Sequence, residues 1–315
     1  MENFIGLRPL PLLPQGEDLN LVKHNYLLYD TIATPNLPSM IDFYQELANK
    51  SIKYKDEFTN FVENVKYLES KKILVDTSSL ITDFEKLNPN LKNIKNLETD
   101  RSLINMELKL NSFDFKHLGD LIENQDFKTF NEFNNLHCQY YTYVLTLKNE
   151  KTFVAPLLDS SDLDERIIDT KKINVYNVIL ENLLIPSSSN AWEDIIDFRN
   201  QKEIKEANLL LRNWVNEIKS KDIKKGELED KILHLQNEYN KSTKLSKLKS
   251  TNSFISVFII ETATLAENLV KLKFKDLAKQ AINFNKRKAD LIDSELNSKG
   301  REISYLVKTN EFLKK

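Results

Sequence analysis

Apolar residues recur at alternating steps of three and four over much of the chain, the signature of helices with one buried stripe. The longest such pattern runs through Met40, Tyr44, Leu47, Ser51, Tyr54, Phe58, Phe61, Val65 and Leu68. It predicts one continuous helix of about four heptads. Ser39 is its expected N-cap, with Asp42 in the capping-box position. A second seam comprises Ile204, Ala207, Leu211, Trp214 and Ile218, broken at Lys225-Gly226. A third starts with Leu228, Ile232, Leu235 and Tyr239. After an expected turn over Lys249 to Ser253, a last long helix carries Val270, Phe274, Leu277, Ala281, Phe284, Lys288 and Leu291 at coiled-coil spacing, with Gly300 placed to end it.

Shorter patterns predict strands. Residues 26–33 (YLLYDTIA) and 72–75 (KILV) read as short buried strands. A helix is expected over about 117–136, through Leu118, Leu121, Phe127, Phe130, Phe133 and Leu136. From Gln139 to Leu147 the pattern alternates, with Tyr141, Tyr143, Leu145 and Leu147 on one face. That predicts a strand, a turn at Asn149-Glu150 and a hairpin partner from Thr152 to Leu158. Ile303, Tyr305 and Val307 predict a terminal strand. The stretch 173–184 fits either element. Pro186 to Asn190 is the expected boundary, with Asn190 capping a helix that opens at Trp192. The expected architecture is therefore α+β and predominantly helical. A small mixed α/β domain covers 1–186, and an all-α domain of long amphipathic helices covers 187–315.

Composition supports that bias. The chain is 41% hydrophobic and 29% charged, the balance of a globular protein. It holds only 5 glycines, hence few positive-φ turns and few backbone cradles for ligands. The single Cys138 excludes an intrachain disulfide. The first residues, with Glu2 and three prolines, do not read as a signal peptide. The longest strongly apolar run, Phe254 to Ile260, falls well short of the roughly 20 residues that a spanning helix needs. These features predict a cytoplasmic location with no membrane partner. The net charge of -2 hides an asymmetry: residues 241–315 contain 16 Lys/Arg and 8 Asp/Glu.

Most recognisable chemistry is missing. The glycines at 6, 16, 119, 226 and 300 are too scattered for a phosphate loop, a dinucleotide fingerprint or a nucleophile elbow. The histidines at 24, 117, 137 and 234 form no zinc-helix spacing, and Cys138 has no second thiol. His137 and Cys138 are adjacent, and on a strand they would point to opposite faces.

One stretch stands apart. Lys71 to Phe84 reads KKILVDTSSLITDF: an apolar strand delivers Asp76, then Thr77 and Ser78 open a helix. This resembles the first motif of PIN-domain ribonucleases. The resemblance implies that Asp76 is a catalytic residue that helps hold Mg or Mn, with Glu107 or Glu123 as a second ligand and Asp159, Asp162 and Asp164 as further ones. It covers about a dozen residues, and some 70 residues precede it here where the family's motif opens the domain. The alternative role for Asp76 is a helix cap.

Two charged groupings complete the reading. Arg199, Arg212, Trp192 and Trp214, with Asp194 and Asp197 nearby in sequence, suit ion pairs packed against aromatics. Lys271, Lys275 and Lys279, with Lys286 and Arg287, form a basic strip suited to nucleic-acid phosphates. Lys273 and Lys288 add to its charge. The primary expectation is a non-enzymatic protein that binds a protein partner or itself through long helical faces. No cofactor is required. A metal-dependent nuclease centred on Asp76 and nucleic-acid binding through the basic helix are the alternatives.

Overall fold

The computed structural model describes residues 3–11, 18–50, 55–87, 106, 108–110, 126–148, 152–157, 169–221, 223–243 and 298–314. It is mostly helical, with one four-stranded parallel sheet interleaved with the N-terminal helices. The chain divides into two compact units, Met1–Arg199 and Asn200–Lys315.

In the first unit the strands are β1 (Asn3–Leu7), β2 (Thr31–Thr34), β3 (Leu74–Asp76) and β4 (Thr152–Pro156), in the spatial order β3-β2-β1-β4. β1 is central, pairing Ile5 with Thr31 on one side and Asn3 with Thr152 on the other. Strands of a parallel sheet are covered on both faces and read as continuous apolar runs, and β4 is buried at all five positions. Successive side chains serve opposite faces. Ile5, Leu7, Ala33 and Val154 gather with Cys138 and Leu145 in one core cluster. The ring of Phe4 packs on Phe153 and Tyr176, with centroids 5.3 and 5.4 Å away. Glycine is required at position 6 of β1: a Cβ there would lie 2.6 Å from Leu157 Cδ1 and 3.1 Å from the Tyr29 ring.

Helices of this unit with described bounds are α1 (Asp18–Leu28), α2 (Leu37–Lys50), α3 (Lys55–Ser70), α4 (Thr77–Leu87), α5 (Phe127–Lys148), α6 (Thr170–Glu181) and α7 (Trp192–Asn200). α2 and α3 pack on each other, with Tyr44 edge-on to Phe61 at 5.2 Å. α3 ends in a Schellman turn. The N–H of Ile73 donates to Leu68 O and that of Lys72 to Glu69 O, with Lys72 in the left-handed region at φ 57°. α7 docks through Arg199, whose Nη1 donates to Tyr29 O at 2.8 Å and whose Nη2 meets Asp30 Oδ1 at 3.3 Å. Asp30 Oδ2 also accepts the Phe4 N–H, tying that dock to β1.

The second unit holds α8 (Lys202–Ile218), a helix over 225–243 (α9), a 3₁₀ turn at Arg301–Ile303 and α10 (Ser304–Leu313). Ile204, Ala207, Leu211, Trp214 and Ile218 are all buried, as their spacing predicts. So are Leu228, Ile232 and Tyr239 of α9. Gly300 adopts φ 76°, and a Cβ there would lie 2.3 Å from Leu235 O.

Several local expectations are corrected. Residues 26–28 end α1, and the strand is Thr31–Thr34. α1 buries consecutive residues from Val22 to Asn25, so its sequence lacks an amphipathic period. The stripe from Met40 to Leu68 is folded into two helices rather than one. It starts at Leu37, not after Ser39. Gln139 to Leu147 is helix α5, so no hairpin forms, and β4 runs parallel to β1. Residues 173–181 are helical. Ile303, Tyr305 and Val307 lie in the 3₁₀ turn and α10. Asn190 Oδ1 turns back to the Ser187 N–H at 2.8 Å instead of opening α7. The expectations for 117–125, Lys249 to Ser253 and Val270 to Leu291 fall outside the described residues. No helix among the described residues is long and apolar enough to cross a membrane.

Candidate ligand site at the carboxyl edge of the sheet

The carboxyl ends of the parallel strands bring Arg8, Asn36, Asp76 and Leu157 to one edge. β1 stops here because Pro9 and Pro11 have no N–H to continue a ladder. Arg8 is fixed by its own backbone: its N–H donates to Ala33 O at 3.0 Å, and its carbonyl accepts Thr34 Oγ1 at 2.9 Å. Its half-buried side chain lines a cavity of about 320 Å³. Asp18, in the first turn of α1, adds a carboxylate. Asn131, Asn134 and Asn135 add three amides from α5. Spacing at i, i+3 and i+4 puts those amides on one helix face. Leu10, Leu19, Val22 and Phe61 make the apolar wall. Burial lowers the pKa of Arg8 from its ordinary value, and the nearby Asp18 works against that shift.

One turn beyond Asn134 on α5 lies His137, buried between Phe133 and Tyr141 at ring distances of 4.3 and 5.5 Å. Its Nδ1 faces Asn36 Nδ2 at 3.3 Å. Burial pulls its pKa down to about 4, so the ring is neutral at neutral pH. Cys138 is fully buried, and burial raises its thiol far above the ordinary value, with Arg8 opposing. A thiol so held is a packing group rather than a nucleophile at neutral pH. The two residues are neighbours on helix α5.

Asp76 sits between two helix starts. Its Oδ1 accepts the Leu37 N–H of α2 at 3.0 Å. Its Oδ2 accepts the Ser78 and Ser79 N–H groups of α4 at 2.9 and 3.2 Å. What converges on this carboxylate is therefore N–H and the positive ends of two helix dipoles. A divalent cation takes the opposite surroundings, a shell of oxygens. Among the described residues, no three His, Cys, Asp or Glu side chains are grouped to hold a metal ion. Glu107, Glu123, Asp159, Asp162 and Asp164 lie outside the described residues, as do Lys271, Lys273, Lys275, Lys279, Lys286, Arg287 and Lys288.

The arginine and tryptophan groupings separate. Trp192 packs against Tyr26 at 6.2 Å, while Lys23 Nζ lies 5.7 Å from the Trp192 ring and donates to Asn190 O at 2.7 Å. Arg199 pairs with Asp30, in the bend just before β2, where the sequence offered Asp194 and Asp197. Arg212 and Trp214 are buried in the second unit. Sequence reasoning missed Arg8, Asp18 and the three asparagines. The legible signals were an arginine closing an apolar strand and the run Asn131-Glu-Phe-Asn-Asn135 at helical spacing. Comparison of the chain with family models, curated proteins and solved structures found no match.

Proposed function

We propose that the first unit is a small-molecule binding module whose ligand carries an anionic group and sits in the cavity at the carboxyl end of β1. The observation that carries this reading is Arg8, a half-buried cation fixed at the carboxyl end of the central strand and opening onto that cavity. In open parallel sheets, ligands occupy the crevice outside the carboxyl ends where the strand order reverses. In the order β3-β2-β1-β4 the reversal falls between β1 and β4, beside the strand end that carries Arg8. A volume of about 320 Å³ is within the range of small-ligand sites. A mixed lining, apolar with a few convergent polar groups, is also their usual composition.

The reading of a helical docking protein draws less support. The apolar residues of the α2, α3 and α8 seams are taken up inside their own units. The nuclease reading loses its centre if Asp76 serves as a double cap. The nucleic-acid reading depends on residues that are not described.

The test is thermal shift and calorimetry on the full chain and on Arg8→Gln, against a panel of small carboxylates, phosphates and nucleotides. A ligand that stabilises the wild type and not the variant supports the proposal. It is wrong if no compound stabilises the protein, or if every stabilising compound acts equally on both forms.

A further inference from the structure

We infer that the ligand is a small zwitterion of the amino-acid class, its carboxylate on Arg8 and its ammonium turned toward Asp18. This rests on the reading of the cavity as a ligand site.

The first support is charge balance. Among the described residues, the lining offers one guanidinium and one carboxylate. Asp18 occupies the first turn of α1, where an open helix start would otherwise attract an anion. A carboxylate already placed there discourages a second anion at that end. Among the described lining residues, Arg8 is the cation that can receive negative charge. A phosphate monoester brings a charge of about -1.5 to -2 at neutral pH, against one cation that Asp18 already partly offsets. A carboxylate brings a single charge and matches the guanidinium fork with two parallel hydrogen bonds.

The amides form the second support. Each asparagine presents both an acceptor and donors. Asn131, Asn134 and Asn135 therefore supply carbonyl oxygens to an ammonium without adding charge, and N–H groups to a carboxylate. The third support is the wall of Leu10, Leu19, Val22 and Phe61, which suits an aliphatic or aromatic side chain. A purely ionic ligand would leave that wall unused.

The inference is tested by calorimetry on the full chain with the common amino acids, singly. Each is compared with its des-amino acid and its decarboxylated amine, and with a nucleoside monophosphate and inorganic phosphate as anionic probes. At least one apolar or aromatic amino acid is expected to bind, and removal of either charged group should weaken it about tenfold or more. Asp18→Asn is expected to weaken the amino acid but not its des-amino counterpart, while Arg8→Gln weakens both. Asn135→Ala, at an exposed position, gives a variant that leaves the core untouched and should weaken binding severalfold. Arg8-dependent binding of the nucleotide or phosphate, with no amino acid bound, overturns this inference and leaves the ligand site standing. No binding by any probe, or binding indifferent to Arg8→Gln and Asn135→Ala, overturns both.

Discussion

The two units are built by different rules. Among the described residues, the second buries mostly apolar side chains along helix seams, with Gly300 set close against the Leu235 carbonyl. The first buries Lys23, His24, Asn25, Asn134, His137 and Lys172 inside and around its sheet, and holds Lys23, His24, His137 and Lys172 through specific contacts. Lys172 Nζ, for example, lies 4.4 Å from the Phe153 ring and 4.9 Å from that of Phe4. Polar groups at such depth are costly unless partnered. The difference predicts that the units respond to different insults.

The largest effect is expected at Gly300. Alanine there must hold a positive φ and press its Cβ against Leu235 O. That should cost about 3 to 4 kcal/mol, from backbone strain and overpacking together. Chemical denaturation followed by Trp214 fluorescence, with Trp192 replaced by Phe, should show the loss in the second unit while Cys138, in the first, stays protected from thiol reagents. Equal exposure of Cys138 would mean that the units unfold as one.

Acid should strike the first unit instead. The pKa of His137 is lowered to about 4 by burial, against about 6.5 in an unfolded chain. The unfolded state binds the extra proton between those values. The stability is therefore fully present above about pH 6.5 and is lost as pH falls toward 4, by roughly 3 kcal/mol. His24 is shifted in the same direction, by burial first, and adds to the loss. His234, in the second unit, is exposed. Stability measured across this window should lose most of its slope in His137→Gln, and an unchanged slope would reassign the effect.

Asp76→Ala leaves three N–H groups at two helix starts without their acceptor. The expected cost is about 2 kcal/mol, with Asp76→Asn milder. Hydrogen exchange should locate the loosening at the first turns of α2 and α4. A Mg- or Mn-dependent nuclease activity abolished by Asp76→Asn at full stability would restore the catalytic role. The smallest change is Gly226→Ala, where a Cβ meets nothing within 4 Å. It should stabilise the second unit by about 0.5 kcal/mol, seen as a small rise in denaturation midpoint.

The same contrast explains what could be read from the chain. α8 buries one face, so Ile204 through Ile218 announce it by period alone. α5 is covered more broadly. Thr142, Tyr143, Val144 and Leu145 are all buried, and the polar Asn134 and His137 lie inside as well. With both sides of the helix covered, every second residue is apolar and the pattern mimics a strand. α1 fails for a related reason, because Lys23, His24 and Asn25 are buried polar residues in its middle. The break between α2 and α3 was invisible because both helices keep the same stripe and fold it face to face. At the candidate site, Asp76 stood out through the strand-aspartate-helix pattern. Arg8, Asp18 and the asparagines are far apart in sequence, and only the parallel sheet brings them together.

Synthesis order meets a difficulty in that sheet. β1 is a central strand, and one of its edges is completed only by β4, with Phe4 opposite Phe153. Roughly 150 residues must leave the ribosome before that partner exists. At about 5 to 20 residues per second, the apolar run Phe4-Ile5-Gly6-Leu7 waits on the order of 10 to 30 s with an open hydrogen-bonding edge. Such an edge is a template for pairing with another chain. Newly made protein should therefore depend on chaperones that shield extended apolar segments. Its yield on overexpression should fall through aggregation of nascent chains, even though the finished fold covers that strand on both sides.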